Sequence, residues 1–255
     1  MAKFIPLHIH SEFSLLDGTI RIGDLVNYAK ENELPAIAVT DHGVMYSAIE
    51  FYEKAKEAGI NPLIGCEFYV HDGDIHVHDN SHNPLYHLIL ICKDAKGYAN
   101  LIKLVSTAWC EGFYYKPRIN FELLKEHHEG LICASACLGG EVLQNLLMGD
   151  YAKAKETAQR YKDLFGDDYY IELQDHNLED QKRTNPDLIK IAKELNIKMI
   201  ITNDSHYLRR EDADAQDTLL CLQTNADKDD PNRFHFPNNE FYIKSKEEML
   251  SLIHI

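Results

Sequence analysis

The chain has 255 residues, 45% hydrophobic and 26% charged, enough to bury a full core as one α/β barrel or as two small domains. A formal charge of -15 argues against gripping nucleic acid over a broad basic surface, so any nucleic acid is met at a small site, through metal ions or with help from other domains. The six cysteines lack a CxxC pair or a framework spacing, no apolar run approaches about eighteen residues, and Met1-Ala2-Lys3 leads straight into an apolar run, so the expectation is a cytoplasmic, reduced protein with no membrane segment.

In chain order, Phe4, Ile5 and Leu7 read as a strand that exits at His8 and His10. Residues i and i+2 of a strand share a face, roughly 7 Å apart, so both imidazoles can reach one metal ion or an adjacent pair. Residues 11–18 read as a polar loop, and Ile22 to Asn32 repeats apolar residues at helical spacing. Ala36 to Val39 is a second strand stopping at Thr40-Asp41-His42-Gly43. A helix over about Ser47 to Ala58 precedes a third strand, Pro62 to Val70, which carries Glu67. A loop rich in Asp, His and Asn leads to a fourth strand, His87 to Cys92, and a helix over about Lys96 to Trp109. Gly112 to Arg118 is an aromatic and basic connector. A short helix near Phe121 to His127 and a fifth strand, Leu131 to Ala134, run into Cys137. Helices over about Glu141 to Met148 and Tyr151 to Phe165 follow. The sixth strand is Tyr169 to Leu173, a long helix spans about Glu179 to Leu195, and the seventh strand, Met199 to Thr202, ends at Asp204 and His206. A last helix, about Glu211 to Gln223, leaves a polar tail.

Seven strands alternating with helices predict parallel βα units closed into a barrel, whose site lies at the C-terminal strand ends. Those ends hold His8 and His10, Asp41 and His42, Glu67, Cys137, and Asp204 and His206. His87 sits instead at the start of its strand, so either that boundary or that strand's direction departs from the pattern. Neutral imidazoles and carboxylates bind Zn, Mn or Fe ions, and a carboxylate such as Glu67 can bridge two of them. Two or three divalent ions of this kind lower the pKa of a bound water and clamp phosphate oxygens. The chain has no GxSxG, P-loop or GxGxxG.

HIHSEFSLLDG (residues 8–18), TDHG (40–43), IGCEFYV (64–70), SACLGGE (135–141) and TNDSHY (202–207) together resemble the polymerase and histidinol phosphatase (PHP) domain. The resemblance is to the form found at the N-terminus of bacterial replicative polymerase alpha subunits. GYANLIKLVS (97–106), EGFYYKPRI (111–119), ELQDH (172–176) and DDPNRF (229–234) agree with it. It implies a distorted, TIM-like (β/α)7 barrel of the PHP fold with a trinuclear metal centre. The metal positions it implies are His8, His10, Asp17, His42, Glu67, His87, Cys137, Asp204 and His206, and Glu67, Asp204 and His206 are the expected catalytic residues. It further implies a metal-dependent phosphoesterase, a 3′ to 5′ exonuclease acting on a DNA 3′ end, with the other polymerase domains and replisome subunits as partners. The alternatives are a non-catalytic structural domain of the polymerase and a stand-alone histidinol-phosphatase-like phosphoesterase.

Arg209 and Arg210, just after His206, are candidates to pair with a substrate phosphate. The aromatic and basic residues of 113–118 could stack and pair with a strand of DNA or pack on a neighbouring domain. His71, His76, His78 and His82 with Asp72, Asp74 and Asp79 form a second histidine-rich loop, expected to be solvated. The expected organisation is a phosphoesterase-like barrel over 1–225 and a connector toward further domains over 226–249. Residues 250–255 match the translation of a transposon adapter used in shotgun libraries, and the chain is expected to continue naturally past Met249.

Overall fold

The computed structural model describes residues 4–78 and 84–252. Among them the elements in chain order are α1 (Ile22–Glu31), β1 (Ala36–Val39), α2 (Ala48–Glu57), β2 (Asn61–His71), β3 (Leu85–Cys92), α3 (Ala95–Cys110), β4 (Arg118–Ile119) and α4 (Phe121–His127). There follow β5 (Leu131–Ala134), α5 (Glu141–Leu147), α6 (Tyr151–Phe165), β6 (Tyr169–Gln174), α7 (Glu179–Glu194), β7 (Lys198–Thr202), α8 (Ala213–Thr224) and α9 (Lys246–Leu252). They group into two compact units. One holds the described residues of Met1–Asp41, Tyr46–Leu63 and Thr202–Ile255, and the other those of His42–Met45 and Ile64–Ile201.

In the first unit, α1 buries Ile22, Leu25, Val26 and Ala29, a stripe at helical spacing that faces the core. β1 is buried at all four positions, which fits a strand covered on both faces. The run over residues 4–10 was expected to be a strand, but it forms only an isolated parallel bridge, Ile9 to Ser205. Pro6 supplies no N–H to a ladder. The extended chain is nonetheless held on two sides: Ala38 N donates to Pro6 O and Thr40 N to Ile9 O, while His10 N donates to Ser205 O and Ser205 N to His8 O.

In the second unit, β2 pairs antiparallel with β3 and β3 antiparallel with β5, whereas β5 and β6 are parallel. The expected all-parallel arrangement is therefore broken at β3. Parallel neighbours need a crossover, usually helical, and no helix is described between β2 and β3. The reversal explains His87: the start of β3 lies beside the end of β2, with His87 opposite Tyr69. Short β4, read as connector from the sequence, pairs with the same end of β2 through Tyr69 to Arg118 and Val70 to Ile119. Beneath this sheet a continuous core includes Phe68, Leu90, Leu101, Leu104, Ile171 and Leu188. Side-chain caps set the starts of α3, α4 and α6: Asp94, Asn120 and Asp150 accept from Gly97 N, Leu123 N and Lys153 N.

Candidate metal centre

In the first unit, His8 and His10 flank Ile9, so both rings leave one side of the extended segment while Ile9 is wholly buried on the other. His8 Nε2 and His10 Nε2 are 3.2 Å apart, and each lies 3.2 Å from Asp204 Oδ1. Asp204 takes a left-handed φ of 43°, a conformation Asp tolerates better than most residues, in the turn after β7. Burial pushes its carboxyl up, but His8, His206 and His10 around it outweigh burial and hold it well below the usual carboxylate range. The His206 ring stacks on His10 with centroids 4.3 Å apart, its Nδ1 3.6 Å from Asp204 Oδ1 and its Nε2 3.9 Å from Asp17 Oδ2. Asp17 also accepts from Gln216 Nε2 at 3.3 Å.

The second unit carries the other four expected ligands. Glu67 on β2 turns Oε2 to His42 Nδ1 at 2.6 Å and Oε1 to His87 Nδ1 at 2.9 Å. Cys137 Sγ lies 3.5 Å from His87 Nδ1 and 3.8 Å from Glu67 Oε1. Its loop reaches His87 through the bond from His87 N to Gly139 O, with Ala136 at a φ of 63°. A side chain on Gly139 would press on the His87 ring, since a Cβ there comes 3.0 Å from His87 Cγ. Two other thiols are pushed upward: burial, with Asp94 adding to it, raises the half-buried Cys92 to about 12, and burial likewise raises the fully buried Cys133.

The donor sets fit divalent ions. Three buried lone-pair atoms on a triangle with 3.2 Å edges have the spacing of ligands around one ion, which is about 3.3 Å for a tetrahedral ion with bonds of about 2.0 Å. Glu67 aims a different oxygen at each of two imidazoles, the arrangement of a bridging carboxylate. All nine expected ligands thus fall into clusters of mutual contact, five in the first unit and four in the second. Glu67 with His87 and Cys137, and His8 with His10 and Asp204, are groups whose ligand atoms lie close enough to hold an ion.

Other candidates land elsewhere. Asp41, a strand-end candidate, accepts from Ser11 N, Ser11 Oγ, Ser14 Oγ and Ser47 Oγ at 2.7 to 2.9 Å. Burial pushes its carboxyl up, and the bonds from Ser11, Ser47 and Ser14 oppose that. The sequence reading passed over these serines, although two of them follow His10 closely. Arg210 is bound to Glu240 Oε1 at 2.6 Å and Tyr242 Oη at 2.9 Å, and Arg209 is exposed. Arg118, offered as a partner for DNA, is fully buried and donates to the carbonyls of Gly112, Ile75 and Val77. Lys116 lies over the Tyr69 ring, which packs edge-on against His87. In the histidine-rich loop, His71 is buried, His76 and His78 are exposed, and Asp79 and His82 lie outside the described residues. No group of metal-capable side chains among the described residues includes His71, His76 or His78. Within 226–249, Phe241 O accepts from His206 N, and Lys244 donates to Asn203 Oδ1, so this stretch braces the turn that carries Asp204.

The PHP domain family model matches residues 6–176, and the chain belongs to that family. The α/β fold class expected from the sequence, a distorted (β/α)7 barrel of the PHP type, is the one this membership carries. The chain is 46% identical over 253 residues to DNA polymerase III subunit alpha of Borreliella burgdorferi, covering 98% of this chain and 22% of that one. It is 47% identical to the protein of the same description from Deinococcus radiodurans, covering 97% and 19%. The chain therefore spans about a fifth of the length of these relatives. No helix among the described residues is long and apolar enough to cross a membrane.

Proposed function

We propose that this chain is the PHP part of a cytoplasmic bacterial replicative polymerase alpha subunit and that it hydrolyses phosphodiesters, removing nucleotides from a DNA 3′ end. The observation that carries the hydrolytic reading is the convergence of His8, His10 and Asp204 on one point, at equal separations and out of water. Divalent ions held there and at Glu67, by all nine ligands named above, would supply an activated water and neutralise charge on the phosphate. Glu67 orients two imidazoles with its two oxygens, Asp204 sets two more, and Cys137 adds a soft donor beside His87. The polymerase context rests on identity along nearly the whole chain, and DNA synthesis, replisome partners and DNA itself belong to the same proposal.

Metal analysis combined with degradation of a 5′-labelled primer tests it. The expected result is metal-dependent release of 3′ nucleotides that Asp204→Asn abolishes while the circular dichroism spectrum is kept. Full metal occupancy with no nucleotide released would instead leave a structural domain of the polymerase. Turnover of histidinol phosphate but not of DNA would point to a free-standing small-molecule phosphoesterase.

A further inference from the structure

We propose that Ser14 and Asp41 act as a positioning pair that orients the His10 ring and keeps a proton on Nδ1, so that Nε2, beside His8 and Asp204, is the atom left to coordinate an ion. The inference rests on the metal-binding reading above and adds residues to it. His10 Nδ1 lies 3.0 Å from Ser14 Oγ, and Ser14 Oγ lies 2.9 Å from Asp41 Oδ1. All three side chains are essentially without solvent contact.

A hydroxyl has one proton, and a carboxylate only accepts. If Ser14 gave its proton to His10, its oxygen lone pairs would face Asp41 Oδ1 at 2.9 Å with no hydrogen between them. The proton therefore goes to Asp41, and Ser14 must accept from His10 Nδ1–H. The carboxylate is fixed in turn, because Ser11 N, Ser11 Oγ and Ser47 Oγ donate to it as well. A neutral imidazole protonated at Nδ1 has its lone pair on Nε2, the atom 3.2 Å from both His8 Nε2 and Asp204 Oδ1. The opposite tautomer would leave the lone pair on Nδ1 and none on Nε2 for an ion that His8, His10 and Asp204 would hold. A second hydrogen-bonded group that selects a ligand's tautomer is the usual support of metal-binding histidine, and its loss typically lowers metal affinity 10- to 100-fold. Here the carboxylate acts through a hydroxyl instead of directly.

Local backbone holds Ser14 in register. Ser14 N donates to Ser11 O, and Gly18 N closes the turn back on Ser14 O. Gly18 has no substitute in this turn, since a Cβ on it would come 2.2 Å from Ser11 O.

Two measurements on the intact chain test the pair. In metal-free protein labelled with 15N-histidine, the His10 ring, assigned by its disappearance in His10→Gln, should show a protonated Nδ1, whether or not Nε2 facing Asp204 is protonated as well. A bare Nδ1, with the proton on Nε2 alone, overturns the proposal with no variant needed. Chelator-competition titration with Zn2+ should then show affinity falling about 10- to 100-fold in Ser14→Ala and staying within about threefold of wild type in Ser14→Thr, which keeps the hydroxyl. Wild-type affinity in a folded Ser14→Ala protein also overturns it. Neither readout uses turnover, so a wild type with a protonated His10 Nδ1 and tight Zn2+ binding that releases no nucleotide refutes the hydrolytic reading and leaves the pair standing.

Discussion

Replacing Gly139 by alanine should weaken metal binding at the Glu67 cluster without weakening the fold. A Cβ at this position comes 3.0 Å from His87 Cγ and 3.1 Å from Nδ1. Carbon contacts are best at about 3.5 Å and beyond, so the imidazole has to retreat by about 0.4 Å. The displaced atom is the one 2.9 Å from Glu67 Oε1 and 3.5 Å from Cys137 Sγ. Metal sites hold their distances to about 0.2 Å, half of that displacement. Affinity at this cluster should fall about 10- to 100-fold, or about 1.4 to 2.8 kcal/mol. Gly139 does not adopt a positive φ, so alanine is unstrained there. The loss of glycine's freedom in the unfolded chain adds about 0.4 to 1 kcal/mol of stability, set against the local crowding. Chelator-competition titration should resolve one weakened class of sites and one unchanged class, the latter from His8, His10 and Asp204. The metal-free melting temperature should not drop. Wild-type affinity in every class would refute the claim that this ring is a ligand, and a collapse of the metal-free melt would refute the contact argument.

His10→Ala and His206→Ala, almost two hundred positions apart in sequence, should each lower bound metal measured by mass spectrometry, whereas the double variant His76→Ala with His78→Ala should bind as wild type. Leu104→Ala removes a fully buried core side chain and should lower unfolding free energy in urea by about 2 to 5 kcal/mol, while Ile102→Ala, on the open side of the same helix, should change it by less than about 0.5 kcal/mol. Arg233 bonds both Asp217 oxygens at 2.6 Å and holds that carboxyl below its usual range. A depressed folded value means the stabilisation is present above the unfolded pKa, about 3.9, and is lost as pH falls through the folded one. Asp217→Asn should therefore cost up to about 1 kcal/mol at pH 7 in urea denaturation, with a difference from wild type that closes as the medium is acidified below the carboxylate range.

The sequence by itself determined the helices from α1 to α8 and the candidate ligand types, whereas α9 falls in the stretch that reads as a polar tail. α1 and α3 are legible because helical spacing of apolar residues depends only on neighbours three and four positions away, and Asp94 and Asn120 cap locally. His8 and His10 are legible as a pair for the same reason, since two positions on an extended chain share a face. Tertiary structure decided what local pattern does not encode. The direction of β3 is set by its partners across the sheet, and only that reversal brings His87 to Glu67. Arg118 reads as a surface cation, yet backbone carbonyls from a distant loop bury it. Asp41 reads as a ligand at a strand end, yet three serines from two separate segments surround it. In each case the side chain's identity fixed which bonds it could make, and the distant segments brought against it fixed which of them it made.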